Sequence, residues 1–182
     1  LLFIYLFRIF GVFLQILGFG NQLVEAIRAH NKVNDRQALR KAKEVLDLVK
    51  IPDVDNKLNF YPHEFSGGMK QRIIIAMALA CNAELIIADE PTTALDVTTQ
   101  AQILDLMKHL QETIGMSILF ITHNFGVVAE ICDRASVMYA GKIVETSTVE
   151  DLFDHPKHPY TKALIESIPK SGRPGEKLVT IP

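Results

Sequence analysis

The sequence predicts an α/β fold with a mainly parallel sheet core and a helical subdomain. Two short apolar runs, Leu85 to Ala88 and Ser117 to Thr122 (SILFIT), carry that expectation, together with the helical periodicity of the segments around them. Leu85-Ile86-Ile87-Ala88 is too short and too uniformly apolar for a surface helix, which is the pattern of a strand buried on both faces of a parallel sheet. It stops abruptly at Asp89-Glu90-Pro91. The carboxyl end of such a strand is where open α/β sheets bind ligands. Two adjacent carboxylates there call for a cation or a proton, and Mg²⁺ with phosphate is the natural occupant.

Composition narrows the class. The chain has 182 residues, 48% of them hydrophobic, and a formal charge of −2, which suits one globular domain. No basic excess exists to neutralise a nucleic-acid backbone, so nucleic acid is not among the expected partners. The two cysteines, Cys81 and Cys132, are too few for a disulfide framework, which favours a reducing compartment. Both read as small buried hydrophobes near helix ends.

Residues Leu1 to Gly20 (LLFIYLFRIFGVFLQILGFG) hold only Arg8 and Gln15 as clearly polar side chains. That reaches the roughly 20-residue length of a membrane span, although Arg8 near its middle opposes insertion. Three readings stay open for it: an aberrant or truncated start, an apolar element packed in the domain, or a membrane-inserted segment. From Asn21 to His30, Leu23, Val24 and Ile27 recur at helical spacing. After a polar break, Asn34 or Asp35 caps a second helix running to about Lys50. Its core side carries Leu39, Ala42, Val45, Leu46 and Val49, and Arg36, Arg40, Lys43 and Glu44 face solvent. Ile51-Pro52 ends it, and Asp53 to Pro62 reads as a loop.

Phe65 to Ala80 reads as a loop and then a helix. Ser66, Gly67 and Gly68 set backbone N–H groups at its N-terminus with little side chain in the way, as an anion such as phosphate requires. Past Pro91, Asp96 or Thr98 caps a helix to about Thr113 that Gly115 terminates. The second apolar strand delivers His123 at its end. Arg134 to Ala140 and Lys142 to Thr146 form a hairpin about Ala140-Gly141. Val149 to Phe153 is a helical turn, and DHPKHPYTKALIESIP follows. His155 and His158, with only Asp151 and Asp154 nearby, make a poor metal set. The end from Ser171 to Pro182 is Gly/Pro-rich and expected to be loose.

Four of these segments carry a family resemblance. Ser66-Gly67-Gly68-Met69-Lys70-Gln71-Arg72 resembles the signature motif of ABC transporter ATPases, and Leu85 to Glu90 resembles their Walker B strand with its catalytic glutamate. Ala94-Leu95-Asp96 resembles their D-loop and Ile121-Thr122-His123 their switch histidine. Four in the expected order make a specific signal. His158-Pro159-Tyr160-Thr161-Lys162-Ala163-Leu164 resembles the tail shared by ATPases of oligopeptide, dipeptide and nickel importers. The resemblance runs from about Gly20 to the C-terminus. It divides the chain into an atypical apolar segment (1–20), a helical subdomain (21–64), an ATPase core (65–147) and an importer-type tail (148–182).

The resemblance implies a partial P-loop NTPase-type ABC ATPase domain using ATP and Mg²⁺. Asp89 is then the metal residue, acting through water, and Glu90 is catalytic, orienting or deprotonating the attacking water. His123, also catalytic, contacts the γ-phosphate. Ser66, Gly67, Gly68 and Gln71 close over ATP bound to a second subunit, with Asp96 beside them, and Arg72 is structural. Asn124 stands where the family commonly has Asp. The implied partners are membrane-spanning permease subunits and a second ABC ATPase subunit, identical or paralogous, at the cytoplasmic face of the membrane.

One expected motif is missing. The family's P-loop, G-x-x-x-x-G-K-[ST], cradles the phosphates, whereas the only Gly-Lys pair here is Gly141-Lys142, followed by Ile143. The expectation is therefore an incomplete ATPase subunit unable to bind ATP alone. The alternative is a catalytically silent module that donates its signature motif to another ATPase.

Overall fold

The computed structural model describes residues 18–168. All but the last residues of the apolar segment, and the Gly/Pro-rich end, lie outside the described residues. The chain divides into two compact units, up to Ile121 and from Thr122 onward.

The first unit holds helices α1 (Phe19–His30), α2 (Asp35–Leu48), α3 (Val54–Lys57), α4 (Gly67–Ala80) and α5 (Val97–Ile114), with parallel strands β1 (Leu85–Asp89) and β2 (Ser117–Ile121). Helix α1 begins inside the apolar segment, at Phe19 rather than Asn21. Its first turn is tied down, because Phe19 and Gly20 donate to the carbonyls of Phe60 and Leu58 at 2.8 and 2.9 Å. A Cβ on Gly20 would stand 2.5 Å from the Leu58 oxygen, so only glycine lets the two backbones meet. The Phe19 and Phe65 rings pack edge to face at 5.6 Å. The expected loop from Asp53 to Pro62 is partly helical: α3 lies within it, and a 3₁₀ turn, Pro62–Glu64, leads to the next segment.

Asn34 caps α2 with a full capping box: its side chain accepts from Gln37 N–H while the Gln37 side chain accepts from Asn34 N–H. The apolar stripe of α2 falls one position from the expected one at its start. Ala38 is buried and Leu39 is 41% exposed, because the capped first turn sets the helix rotation. Leu23 and Ile27 of α1, Ala42 and Leu46 of α2, and Leu104, Met107 and Leu110 of α5 are almost fully buried. Helix α4 runs among these elements and is buried continuously from Ile75 to Ala80. Arg72 on α4 donates to the Val49 carbonyl at the end of α2 at 2.9 Å, and the Lys41 ammonium bridges the Asn31 and Asn82 side-chain oxygens.

The sheet departs from expectation in one respect. β1 and β2 pair in parallel from Leu85↔Ser117 to Asp89↔Ile121, and one face buries Ile86 and Ala88. On the other face Leu119 and Ile121 are 50% and 47% exposed. The strands are thus not buried on both faces, since among the described residues nothing closes over that side.

The second unit contains α6 (Phe125–Ile131), the antiparallel hairpin β3 (Arg134–Tyr139) and β4 (Lys142–Thr148), α7 (Val149–Asp154) and α8 (Pro159–Glu166). Ala140 and Gly141 form the turn with φ of 48° and 77°, the left-handed pair that tight hairpins use. Leu152 is buried, and the Phe125 and Phe153 rings meet edge on at 5.9 Å. Cys81 and Cys132 cap the ends of α4 and α6, half-buried, and burial raises both thiol pKa values. Among the described residues no helix is long and apolar enough to cross a membrane.

Truncating Leu104, 2% exposed on α5, to Ala is expected to cost about 2–5 kcal/mol. Asn34→Ala should cost only about 1 kcal/mol through its cap. Urea unfolding of the three proteins checks both values and their order.

Candidate functional site

The site grows from two helix N-termini that face one another. Ser66 caps α4, its hydroxyl accepting from Met69 N–H at 3.4 Å. Asp96 caps α5: one carboxylate oxygen accepts from Thr99 N–H at 2.9 Å and the other from the Thr99 hydroxyl at 2.6 Å. The hydroxyl, then the N–H, hold the Asp96 carboxyl below its ordinary range. The helix ends approach so closely that a Cβ on Gly68 would lie 2.5 Å from Thr99 Cγ2, and one on Gly67 3.3 Å from Leu95 Cδ2.

Between them opens a pocket of about 430 Å³. Ser66, Gly67, Gly68 and Asp96, all expected from the sequence, line it together. Met69, Lys50 and Arg72 also line it, and none of these was expected there. The first N–H groups of a helix have no partner within it. Ser66 takes that of Met69, which leaves those of Gly67 and Gly68 for a ligand. With two helix N-termini and two cations about it against the one carboxylate of Asp96, this pocket has a positive balance that suits a phosphate.

Gln71, expected with these residues, lies elsewhere. It is only 7% exposed, its amide nitrogen is buried without a hydrogen-bond partner, and it does not line the pocket. Three residues beyond Gly68, it continues the face that Gly68 turns towards α5. Met69 occupies the pocket side instead, a placement that helical periodicity would reveal only once the packed face of α4 is known.

Asp89, half-buried, ends β1, and exposed Glu90 follows it. Glu90 adopts φ of 47°, a left-handed conformation rare for a residue with a Cβ. Its N–H donates to the Ile121 carbonyl at 2.8 Å, and its carboxylate accepts from the Thr93 hydroxyl at 3.0 Å. That bond pins the turn. The same loop continues through Ala94 and Leu95 into the pocket wall, so one short segment connects the paired carboxylates to the α4 N-terminus. His123 belongs to the second unit, exposed, two residues past the end of β2. Next to it, Asn124 caps α6 by accepting from Gly126 N–H at 2.9 Å.

The residues fit the phosphates of a nucleotide in one place and a metal ion in another. The pocket offers N–H groups and cations. Asp89 offers the hard oxygen donor that Mg²⁺ takes with water completing its shell, and among the described residues no cluster of three or more His, Cys, Asp or Glu surrounds it.

Comparison with known proteins gives the family of the chain. Residues 12–93 match the family model described as ABC transporter, a match that begins inside the apolar segment rather than after it. The chain belongs to the ABC transporter family of ATP-binding subunits. Residues 144–182 match a second model, the C-terminal region of oligopeptide/dipeptide transporters, which sets the branch. A putative peptide import ATP-binding protein of Brucella melitensis is 57% identical over 169 residues, 90% of this chain and 50% of that protein. The oligopeptide transport ATP-binding protein OppD of Bacillus subtilis is 56% identical over 88% of this chain and 45% of its own length. For the glutathione import ATP-binding protein GsiA of Escherichia coli the values are 55%, 84% and 25%. The chain thus spans about half the length, or less, of these relatives. Among solved structures, the ATP-binding cassette MJ0796, dimeric and bound to ADP and Pi, superposes with a TM-score of 0.67. It is 27% identical, over 81% of this chain and 62% of that one.

Two measurements test the site's construction. Gly68→Ala should destabilise the chain by about 1–3 kcal/mol through overpacking. Adding Thr99→Ser, which removes Cγ2 but keeps the hydroxyl, should return most of that loss in urea unfolding. The Asp96 cap contributes stability above the ordinary carboxylate range, and that contribution falls away as pH drops through the depressed folded pKa. The stability difference between wild type and Asp96→Asn should therefore be flat from about pH 8 to 5 and shift in favour of the variant in stronger acid.

Proposed function

We propose that this chain forms part of the ATP-binding subunit of a peptide importer, in which it supplies the signature face to nucleotide held by a second subunit. The observation that carries this reading is the α4 N-terminus, open to a pocket lined by Ser66, Gly67 and Gly68 beside the Asp96 cap. ATP with Mg²⁺ supplies the phosphoryl group and its charge neutralisation when bound. The chain's own part is positional: the N–H groups of Gly67 and Gly68 and the Ser66 hydroxyl meet the terminal phosphate of the partner's nucleotide. Catalysis of phosphoryl transfer rests mainly on such positioning and charge stabilisation.

In this proposal Asp89 holds the metal through water, Glu90 orients or deprotonates the attacking water, and His123 contacts the γ-phosphate, at a site that also needs a P-loop. The relatives' names, the C-terminal match and the placement of both carboxylates at the end of β1 support those roles. The partners are membrane-spanning permease subunits and a second ATP-binding subunit, with residues 21–64 as the helical docking subdomain, at the cytoplasmic face of the membrane. A second reading, a catalytically silent donor of the signature motif, is favoured by one observation: no G-x-x-x-x-G-K-[ST] occurs among the 182 residues.

The chain alone is expected to show only background ATP turnover, measured as phosphate release; robust turnover would overturn the proposal. Mixed with a P-loop-bearing subunit of a peptide importer, it should raise turnover. Gly67→Asp, which sets a carboxylate against the phosphate, should remove that stimulation by about tenfold or more, against a smaller loss for Ser66→Ala. Equal stimulation by all three would exclude the signature role.

A further inference from the structure

The segment Asp154 to Leu164 has no part in the nucleotide chemistry, yet the second unit builds a receptor for it. Glu145, half-buried on β4, sends both carboxylate oxygens to consecutive backbone N–H groups: one accepts from Lys157 at 2.8 Å and the other from His158 at 2.9 Å. Two successive N–H groups converging on one carboxylate form an anion-binding concavity, here filled by the chain itself. Everything just beyond is arranged about that contact. His158 caps α8, its Nδ1 accepting from Tyr160 N–H at 3.1 Å, and Pro159 opens the helix. The Tyr160 ring lies 4.4 Å from that of Tyr139 on β3. Thr161 is completely buried.

The Thr161 hydroxyl is the largest influence holding the Glu145 carboxyl below its ordinary range. Burial opposes it next, and the N–H groups of His158 and Lys157 and the Lys157 charge add to the lowering. In this geometry the same hydroxyl stops short of a well-formed hydrogen bond.

We propose that Glu145 is the docking residue of the C-terminal tail, and that His158-Pro159-Tyr160-Thr161 is an address read within the chain by the β3–β4 hairpin. Each residue of the segment has a place in that contact. The carboxylate holds the chain entering α8, His158 and Pro159 start the helix in the right direction, the Tyr160 ring packs tilted at 39° against Tyr139, and Thr161 fills the interior beside the carboxylate. A charged acceptor with two N–H donors is stronger than neutral hydrogen bonds, so one side chain dominates the attachment.

Amide hydrogen exchange on the full chain, comparing wild type with Glu145→Ala and Glu145→Gln, tests this. In Glu145→Ala the amides of Lys157, His158 and the α8 residues Lys162 to Leu164 should exchange about tenfold faster or more, while those of β1 and α5 stay unchanged. Glu145→Gln, which keeps one acceptor oxygen, should fall between the two. Exchange in Glu145→Ala within about twofold of wild type at Lys157 and His158 would overturn the proposal. Should Glu145→Ala fail to fold, Glu145→Gln decides alone: unchanged exchange at these two amides overturns the proposal, and selective acceleration there supports it.

Discussion

The approach of α4 to α5 at Gly68 and Thr99 governs the first unit. A single methyl group at residue 68 would stand 2.5 Å from the threonine side chain, so the two helix N-termini come together only because one of them begins with glycine. Their juxtaposition has two consequences. It turns two sets of orphan N–H groups and two positive helix ends towards one pocket, and it brings the loop that follows β1 into that pocket's wall. The Asp96 cap does double duty here, since the carboxylate that closes α5 also lines the pocket.

Beside that pocket the sheet supplies direction. Parallel pairing of β1 with β2 carries Asp89 to the strand end, and the bond from Glu90 N–H to the Ile121 carbonyl extends the ladder by one residue into a left-handed turn. The turn takes Glu90 out of the sheet's alternation. Its carboxylate is held to the turn by the Thr93 hydroxyl. Backbone strain at Glu90 is a cost the surrounding bonds must offset: the one from Thr93 is local, and the one to Ile121 ties the turn to the neighbouring strand.

The open side of the sheet shows where pattern and environment part. Leu119 and Ile121 are apolar and half-exposed on a strand whose pattern is that of an interior element. The sequence was composed for burial on both faces, and the described residues cover one. Sequence pattern therefore reports the environment for which a strand is suited, which is a different quantity from the environment it has.

Much of the architecture was legible from sequence because it depends on local chemistry. A cap at Asn34 or its neighbour, one at Asp96 or Thr98, the left-handed end of α5 at Gly115, the hairpin turn at Ala140-Gly141 and strands β1 and β2 to within one residue of their ends are written in neighbouring residues. So too was the helix start at Ser66, Gly67 and Gly68. Tertiary structure decided what depends on which face of a helix meets another element. It buried Ala38 in place of Leu39, withdrew Gln71 into the interior while turning Met69 to the pocket, and brought Lys50 and Arg72 to the pocket wall. It also folded a short helix within the 53–62 stretch and gave Glu145, unremarked in the sequence, two backbone partners more than ten residues away. Caps and turns are set by a few adjacent dihedral angles, whereas a packed face is set by partners distant in the chain.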